Sequence, residues 1–238
     1  WIQNWAKCRG GNQDRHILKA WDSLHKKIYK KYATAGQAVL MNARPMLVGT
    51  DSWNTYPDIT YNNRDLWDIW TEMLKASHIN NTGYRFDVIN VGRQVLGNLF
   101  SSFRDHFTQC YSEKDIDGMK KWADQMDALL IDTDSIGKWI DDARSFGKTE
   151  AEKEYYEENA RCILTVWGQK ATQLNDYANR GWGGLTYSYY RERWKRFTTE
   201  VITASLSGQK FDEKQFYQSI TDFEYEWTLS KEHHPIIS

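Results

Sequence analysis

The chain has 238 residues, enough for one large domain or two small ones, either with a buried core. Its 31 Lys and Arg against 32 Asp and Glu give a formal net charge of -1, so no broad basic field awaits a nucleic-acid backbone or an anionic membrane. No apolar run reaches the roughly 20 residues of a membrane-spanning helix, and three cysteines (Cys8, Cys110 and Cys162) lie far apart, too few and too odd in number for a fully paired disulfide framework.

Apolar residues recur at helical spacing along most of the chain. Ile17, Trp21, Leu24, Ile28 and Tyr32 form the first stripe, and Leu66, Trp70, Met73 and Leu74 mark a shorter helix. Val88, Val91, Val95, Leu99, Phe103 and Phe107 follow, then Ile116, Met119, Trp122, Met126 and Leu130, which predicts a core position for Trp122. The cluster Asp132, Thr133, Asp134 and Ser135 is rich in N-cap residues and predicts a new helix through Ile136, Trp139 and Ile140. Thr149 with Glu152 has the form of a capping box that opens a helix through Tyr156, Asn159 and Ile163, stopping near Gly168. Tyr187, Tyr190, Trp194, Phe197, Val201 and Leu206 form a further stripe ending at Gly208, and Phe216, Ile220, Phe223 and Trp227 the last. Strand-like alternation is nearly absent. These patterns predict an all-α fold, an irregular bundle of about eight helices in one domain over residues 1–238, with a long loop near residues 43–63.

Chemistry-bearing motifs are scarce. Asp115 with Asp117, Asp141 with Asp142 and Glu157 with Glu158 are the carboxylate pairs that a glycosidase acid and base would require, but all sit on charged helical stretches that read as solvated faces. The six histidines show no metal-ligand spacing and no phosphate-cradling glycine loop is present, so neither a metal nor a cofactor is expected. The segment between Leu164 and Trp194 is different: aromatic rings and glycines alternate around Asn175, Asp176, Tyr177 and Asn179. Sugar rings stack their C–H faces on indole and phenol and need polar partners at the edge, which Trp167, Tyr177 and Trp182 with those polar residues would supply. A helix-to-helix corner whose rings fill the core accounts for the same composition.

An ordered set of motifs adds to this reading. "ARPML" (43–47), "RFDVINVGRQVLGNL" (85–99), "ARSFGKTEAEKEYYEENARCILTVWG" (143–168), "LNDYANRGWGGL" (174–185) and "YYRERWKRF" (189–197) together resemble the C-terminal helical domain of the α-N-acetylglucosaminidases, glycoside hydrolase family 89. The resemblance, which includes the opening "WIQNWAKCRGG", covers essentially the whole chain. It implies part of an exo-acting, retaining hydrolase of terminal α-linked N-acetylglucosamine on glycans such as heparan sulfate or mucin-type chains. The two catalytic glutamates would lie in a (β/α)8 barrel absent from this chain, against which the helical domain packs. By the same resemblance Trp167, Leu174 and Tyr177 would line the sugar pocket, no catalytic residue would lie in this chain, the chain alone would be inactive, and the setting would be secreted, periplasmic or lysosomal. The partners implied are that barrel and a glycan, with no nucleic acid and no membrane. A free-standing helical carbohydrate-binding or protein-interaction module is the alternative.

Overall fold

The computed structural model describes residues 1–10, 14–29, 39–50, 59–77, 81–134, 143–167, 170 and 184–232. Among these no strand occurs, and eight α-helices have both ends described: α1 (Ile2–Gly10), α2 (Arg15–Ser23), α3 (Asn63–Met73), α4 (Thr82–Glu113), α5 (Ile116–Asp134), α6 (Glu150–Leu164), α7 (Arg191–Leu206) and α8 (Glu213–Leu229). Wherever apolar spacing predicts a helix within the described residues, a helix is present. The helix α1 was not predicted, because only Ala6 and Gly10 in it are buried and its apolar residues form no stripe. The expected helix through Ile136, Trp139 and Ile140 lies outside the described residues. Asp132 to Asp134 are the last residues of α5. As expected, 43–50 and 59–62 form neither helix nor strand, apart from the short 3-10 turn Leu40–Asn42 just before them.

Contacts divide the chain into two compact units, Trp1–Gln37 with Asp58–Leu99 and Ala38–Pro57 with Phe100–Ser238. The first holds α1, α2, α3 and the N-terminal part of α4. Asp14 caps α2 by accepting from the backbone N–H groups of His16 and Ile17. The helix then widens into a π-turn over Leu24–Ile28. Ile17, Trp21 and Leu24 pack with Leu66, Ile69 and Met73 of α3 and Val91 and Val95 of α4. This is a conventional apolar core. Gly92 allows a close approach within it: a Cβ there would stand 2.7 Å from the indole of Trp70.

The second unit is built on rings. Trp194 contacts Phe100 (4.9 Å between centroids) and Phe197 (5.6 Å), and Phe197 in turn contacts Phe216 (5.4 Å) and Phe211 (5.3 Å). The indole N–H of Trp194 donates to the Met41 carbonyl at 2.9 Å, holding the segment before "ARPML" against α7. Trp227 is buried as its stripe predicts, at 5% exposure. Trp122 is only half-buried: its ring lies 4.4 Å from that of His106, stacked on it, while Met119, Met126, Leu129 and Leu130 take the buried face of α5. The three cysteines are free; Cys8 is exposed and Cys110 and Cys162 are half-buried.

Candidate functional site

The capping box at Thr149 is formed in full, and the two backbone N–H groups donating to Glu152 hold its carboxyl below the usual range. It starts α6, but the helix does not bury the residues its apolar spacing suggests. Tyr156 and Ile163 are each 40% exposed, whereas Glu157 and Arg161 point inward at 4% and 0%. Glu157 therefore does not lie on a solvated face.

The reason is an ion network assembled from distant segments. Arg161 donates to Glu157 at 2.9 Å and to the backbone carbonyls of Trp227 (3.2 Å) and Glu232 (3.0 Å), and its guanidinium lies 4.6 Å from the Trp227 ring centroid. Arg144 reaches the other oxygen of Glu157 at 2.9 Å. Burial pulls the Arg161 pKa down against the influence of Glu157, but a guanidinium keeps its proton in proteins. With both oxygens occupied by arginine, Glu157 is a structural anion and is not available as a catalytic acid or base.

A second network lies under "ARPML". Arg44 grips both oxygens of Glu224 (2.9 and 2.6 Å), and Arg193 donates to Glu224 (3.1 Å) and to the Asn42 carbonyl (2.8 Å). Burial is the largest influence on Arg44 and lowers its pKa, yet the hydrogen bonds and charge of Glu224 outweigh it and the net shift is upward. Arg193 is sandwiched with Tyr189 and Tyr190, 4.4 and 5.1 Å from their ring centroids. Sequence patterning gave no sign of these charges in the core. Each needs a partner remote in sequence.

After Leu164 the helix gives way to a turn. The Thr165 hydroxyl donates to the Arg161 carbonyl, Val166 is buried, and Trp167 takes a left-handed backbone conformation (φ 43°) with its N–H bonded to the Cys162 carbonyl at 2.6 Å. A bulky residue at positive φ is uncommon and marks a constrained turn. It leaves the Trp167 indole 41% exposed at the end of α6. The other predicted pocket residues, Leu174 and Tyr177, with Trp182 and the polar residues between them, lie outside the described residues. Where the description resumes, Asp134 accepts from the N–H groups of Gly184 (2.8 Å) and Tyr187 (2.7 Å), so the last residue of α5 caps the π-turn Thr186–Tyr190 that leads into α7. Single π-turns of this kind are frequent at functional sites. On α8, Trp227 donates to the Ser188 hydroxyl at 3.0 Å.

Of the other candidate carboxylate pairs, one lies within the described residues. Asp115 accepts from the Gly118 N–H and the side chain of Asp117 is 97% exposed, while Asp141 and Asp142 lie outside the described residues. Among the described residues of the second unit, a cleft of about 210 Å³ opens between α5 and α7 and another of about 630 Å³ beside Met46, Leu47 and Val48. Neither is lined by Trp167. Among the described residues no three His, Cys, Asp or Glu side chains gather as metal ligands, and no helix is long and apolar enough to cross a membrane.

These features define an all-helical domain whose second unit is organised by buried arginine–glutamate networks around an aromatic turn. The chain belongs to the family of α-N-acetylglucosaminidase C-terminal domains, whose model matches residues 1–238. It is 28% identical over 247 residues to the α-N-acetylglucosaminidase of Homo sapiens, covering 99% of this chain and 33% of that protein. Two solved structures of a family 89 glycoside hydrolase from Clostridium perfringens are similar over 100% of this chain and 29% of theirs. The complex with PUGNAc has a TM-score of 0.81 at 24% identity. A form with two glutamates changed to glutamine, in complex with its substrate GlcNAc-alpha-1,4-galactose, has a TM-score of 0.80 at 25% identity. The chain thus spans about a third of the length of these relatives.

Proposed function

We propose that this chain is the C-terminal part of an exo-acting α-N-acetylglucosaminidase, which removes terminal α-linked N-acetylglucosamine from glycans such as heparan sulfate or mucin-type chains. In this reading the domain packs against a catalytic barrel carried by the same polypeptide and contributes Trp167, Leu174 and Tyr177 to the wall of the sugar pocket. The observation that carries it is the match of the C-terminal-domain family to all 238 residues. The half-exposed Trp167, fixed by its turn just after α6, supports the pocket role, because an exposed indole face suits the C–H face of a pyranose. A retaining mechanism needs two carboxyl groups about 5 Å apart; of the candidate pairs, Glu157 is held by Arg144 and Arg161 and Asp117 stands in solvent, which favours a chain that is inactive alone.

The test uses the full-length enzyme and an aryl α-N-acetylglucosaminide. Trp167→Ala is expected to lower kcat/KM by roughly ten- to two-hundred-fold, the worth of one lost pocket contact, at an unchanged melting temperature. Wild-type kcat/KM in a folded variant overturns the pocket role of Trp167, and activity lost only in step with folded protein assigns it to the core.

A further inference from the structure

Helix α6 is inverted. At about 3.6 residues per turn, Tyr155, Tyr156, Asn159 and Ile163 fall on the side opposite Glu157 and Arg161. The charged pair is buried, whereas Tyr155 is 65% exposed, Tyr156 and Ile163 40% each, and Phe146, just ahead of the helix, 75%. These are not scattered rings. Phe146 lies 6.4 Å from Tyr156 and Tyr155 lies 5.7 Å from Tyr156, centroid to centroid. Beyond Glu152 the side carries no charge, and it leads along the helix toward Trp167. A single exposed apolar residue is ordinary, but a joined cluster of Phe146, Tyr155 and Tyr156, followed past Asn159 by Ile163, on a helix whose inner face is ionic is a surface suited to being covered.

We propose that the outer face of α6, from Phe146 and Tyr155 through Ile163 to Trp167, is the surface on which this domain docks against the catalytic domain of its own polypeptide. This rests on the function proposed above and goes further by naming the face. The occupant follows from two observations. Relatives of this C-terminal domain are about three times its length, so the enzyme that carries it has a large additional body to place. Trp167 also stands just beyond the end of the helix, its N–H bonded back to the Cys162 carbonyl, so a body that shares a pocket with that indole lies near the Ile163 end of this face. An uncharged face of phenols and an isoleucine suits a permanent interdomain contact, with the tyrosine hydroxyls free to bond at its rim.

In the full-length enzyme, the photo-reactive residue p-benzoylphenylalanine at position 155 is irradiated and the cross-linked peptides are mapped. Alongside it, Ile163→Cys is alkylated under native conditions and compared with Leu206→Cys, which sits at the end of α7 at 62% exposure. The expected results are a cross-link into the catalytic domain and, at residue 163, alkylation slowed at least about tenfold relative to residue 206, with equal rates after denaturation. The two positions differ far less than that in exposure in this chain alone. Comparable native rates overturn the proposal, as does slow alkylation with cross-links only to this domain's own segments, only to a second copy of the enzyme, or to nothing. A Trp167→Ala variant that loses kcat/KM while Ile163→Cys alkylates freely overturns the docking face and leaves the pocket reading standing. The converse result does the reverse.

Discussion

The two units place their charges in opposite ways. In the first, isoleucine, leucine, methionine and tryptophan fill the core, and ion pairs stand at its rim: the side chains of Arg9 and Asp87 are 29% and 11% exposed, those of Lys27 and Asp65 51% and 37%. In the second, Arg193 and Glu224 pair at 0% exposure each and Arg161 with Glu157 at 1% and 5%. The difference matters because a pair in water is nearly dispensable, whereas a buried pair that loses one member leaves an uncompensated charge in a low dielectric. The first unit is therefore held by apolar packing. The second depends on a few charged residues contributed from segments far apart in the chain.

The sharpest way to break this contrast is Glu224→Ala, which would leave Arg44 and Arg193 without their shared anion. A loss of about 3–5 kcal/mol is expected, read as a lowered urea midpoint with early loss of hydrogen-exchange protection in α7 and α8. An unchanged midpoint would mean that the network is not what orders this unit. Gly92→Ala probes the other side, because a methyl group there meets the Trp70 indole at 2.7 Å and α3 must shift away from α4. The expected cost is about 1–3 kcal/mol, seen as a near-ultraviolet circular dichroism change and a lower melting temperature. Neutral behaviour would show that this contact is slack.

The smallest effect concerns acid. Glu72 in the first unit is held at about 2, below its ordinary 4.5, chiefly by the hydrogen bond with His16, with burial opposing and Lys75 and Lys19 adding to the depression. Because the folded value is the lower one, this carboxylate stabilises the fold fully above about 4.5 and ceases to do so as the pH falls through about 2. Glu72→Gln should lower the urea midpoint at neutral pH by the part this carboxylate contributes and flatten its fall across that window, so that variant and wild type converge as the pH falls to about 2. An identical acid profile would show that other carboxylates account for it.

The positions of the helices were legible because their apolar residues repeat at 3.6, and caps such as Thr149 with Glu152 are local chemistry. Of the predicted stripe, Phe216, Ile220 and Trp227 are buried as the spacing requires and Phe223 is half-buried. Which side of α6 faces inward was not legible. Its apolar side looks outward and its charges look inward, an arrangement that makes sense only once Arg144 and the carbonyls of Trp227 and Glu232 are in place to satisfy Glu157 and Arg161. Of the candidate site, Trp167 was legible as a residue type in an aromatic stretch, while its left-handed turn and partial exposure were not.

The amino-acid sequence by itself determined that this is a helical chain of near-zero net charge, where most of its helices start and stop, and the ordered motifs that mark its family. All of these depend on neighbours a few residues apart or on the linear order of short segments. Only the tertiary structure decided that Arg44, separated from Glu224 by 180 residues, would share its carboxylate with Arg193, and that α6 would turn its rings to the outside. A buried charge needs a counter-charge and hydrogen-bond partners: Glu224 receives both of its arginines from other parts of the chain, and Glu157 and Arg161, though paired within one helix, still need Arg144 and the carbonyls of Trp227 and Glu232.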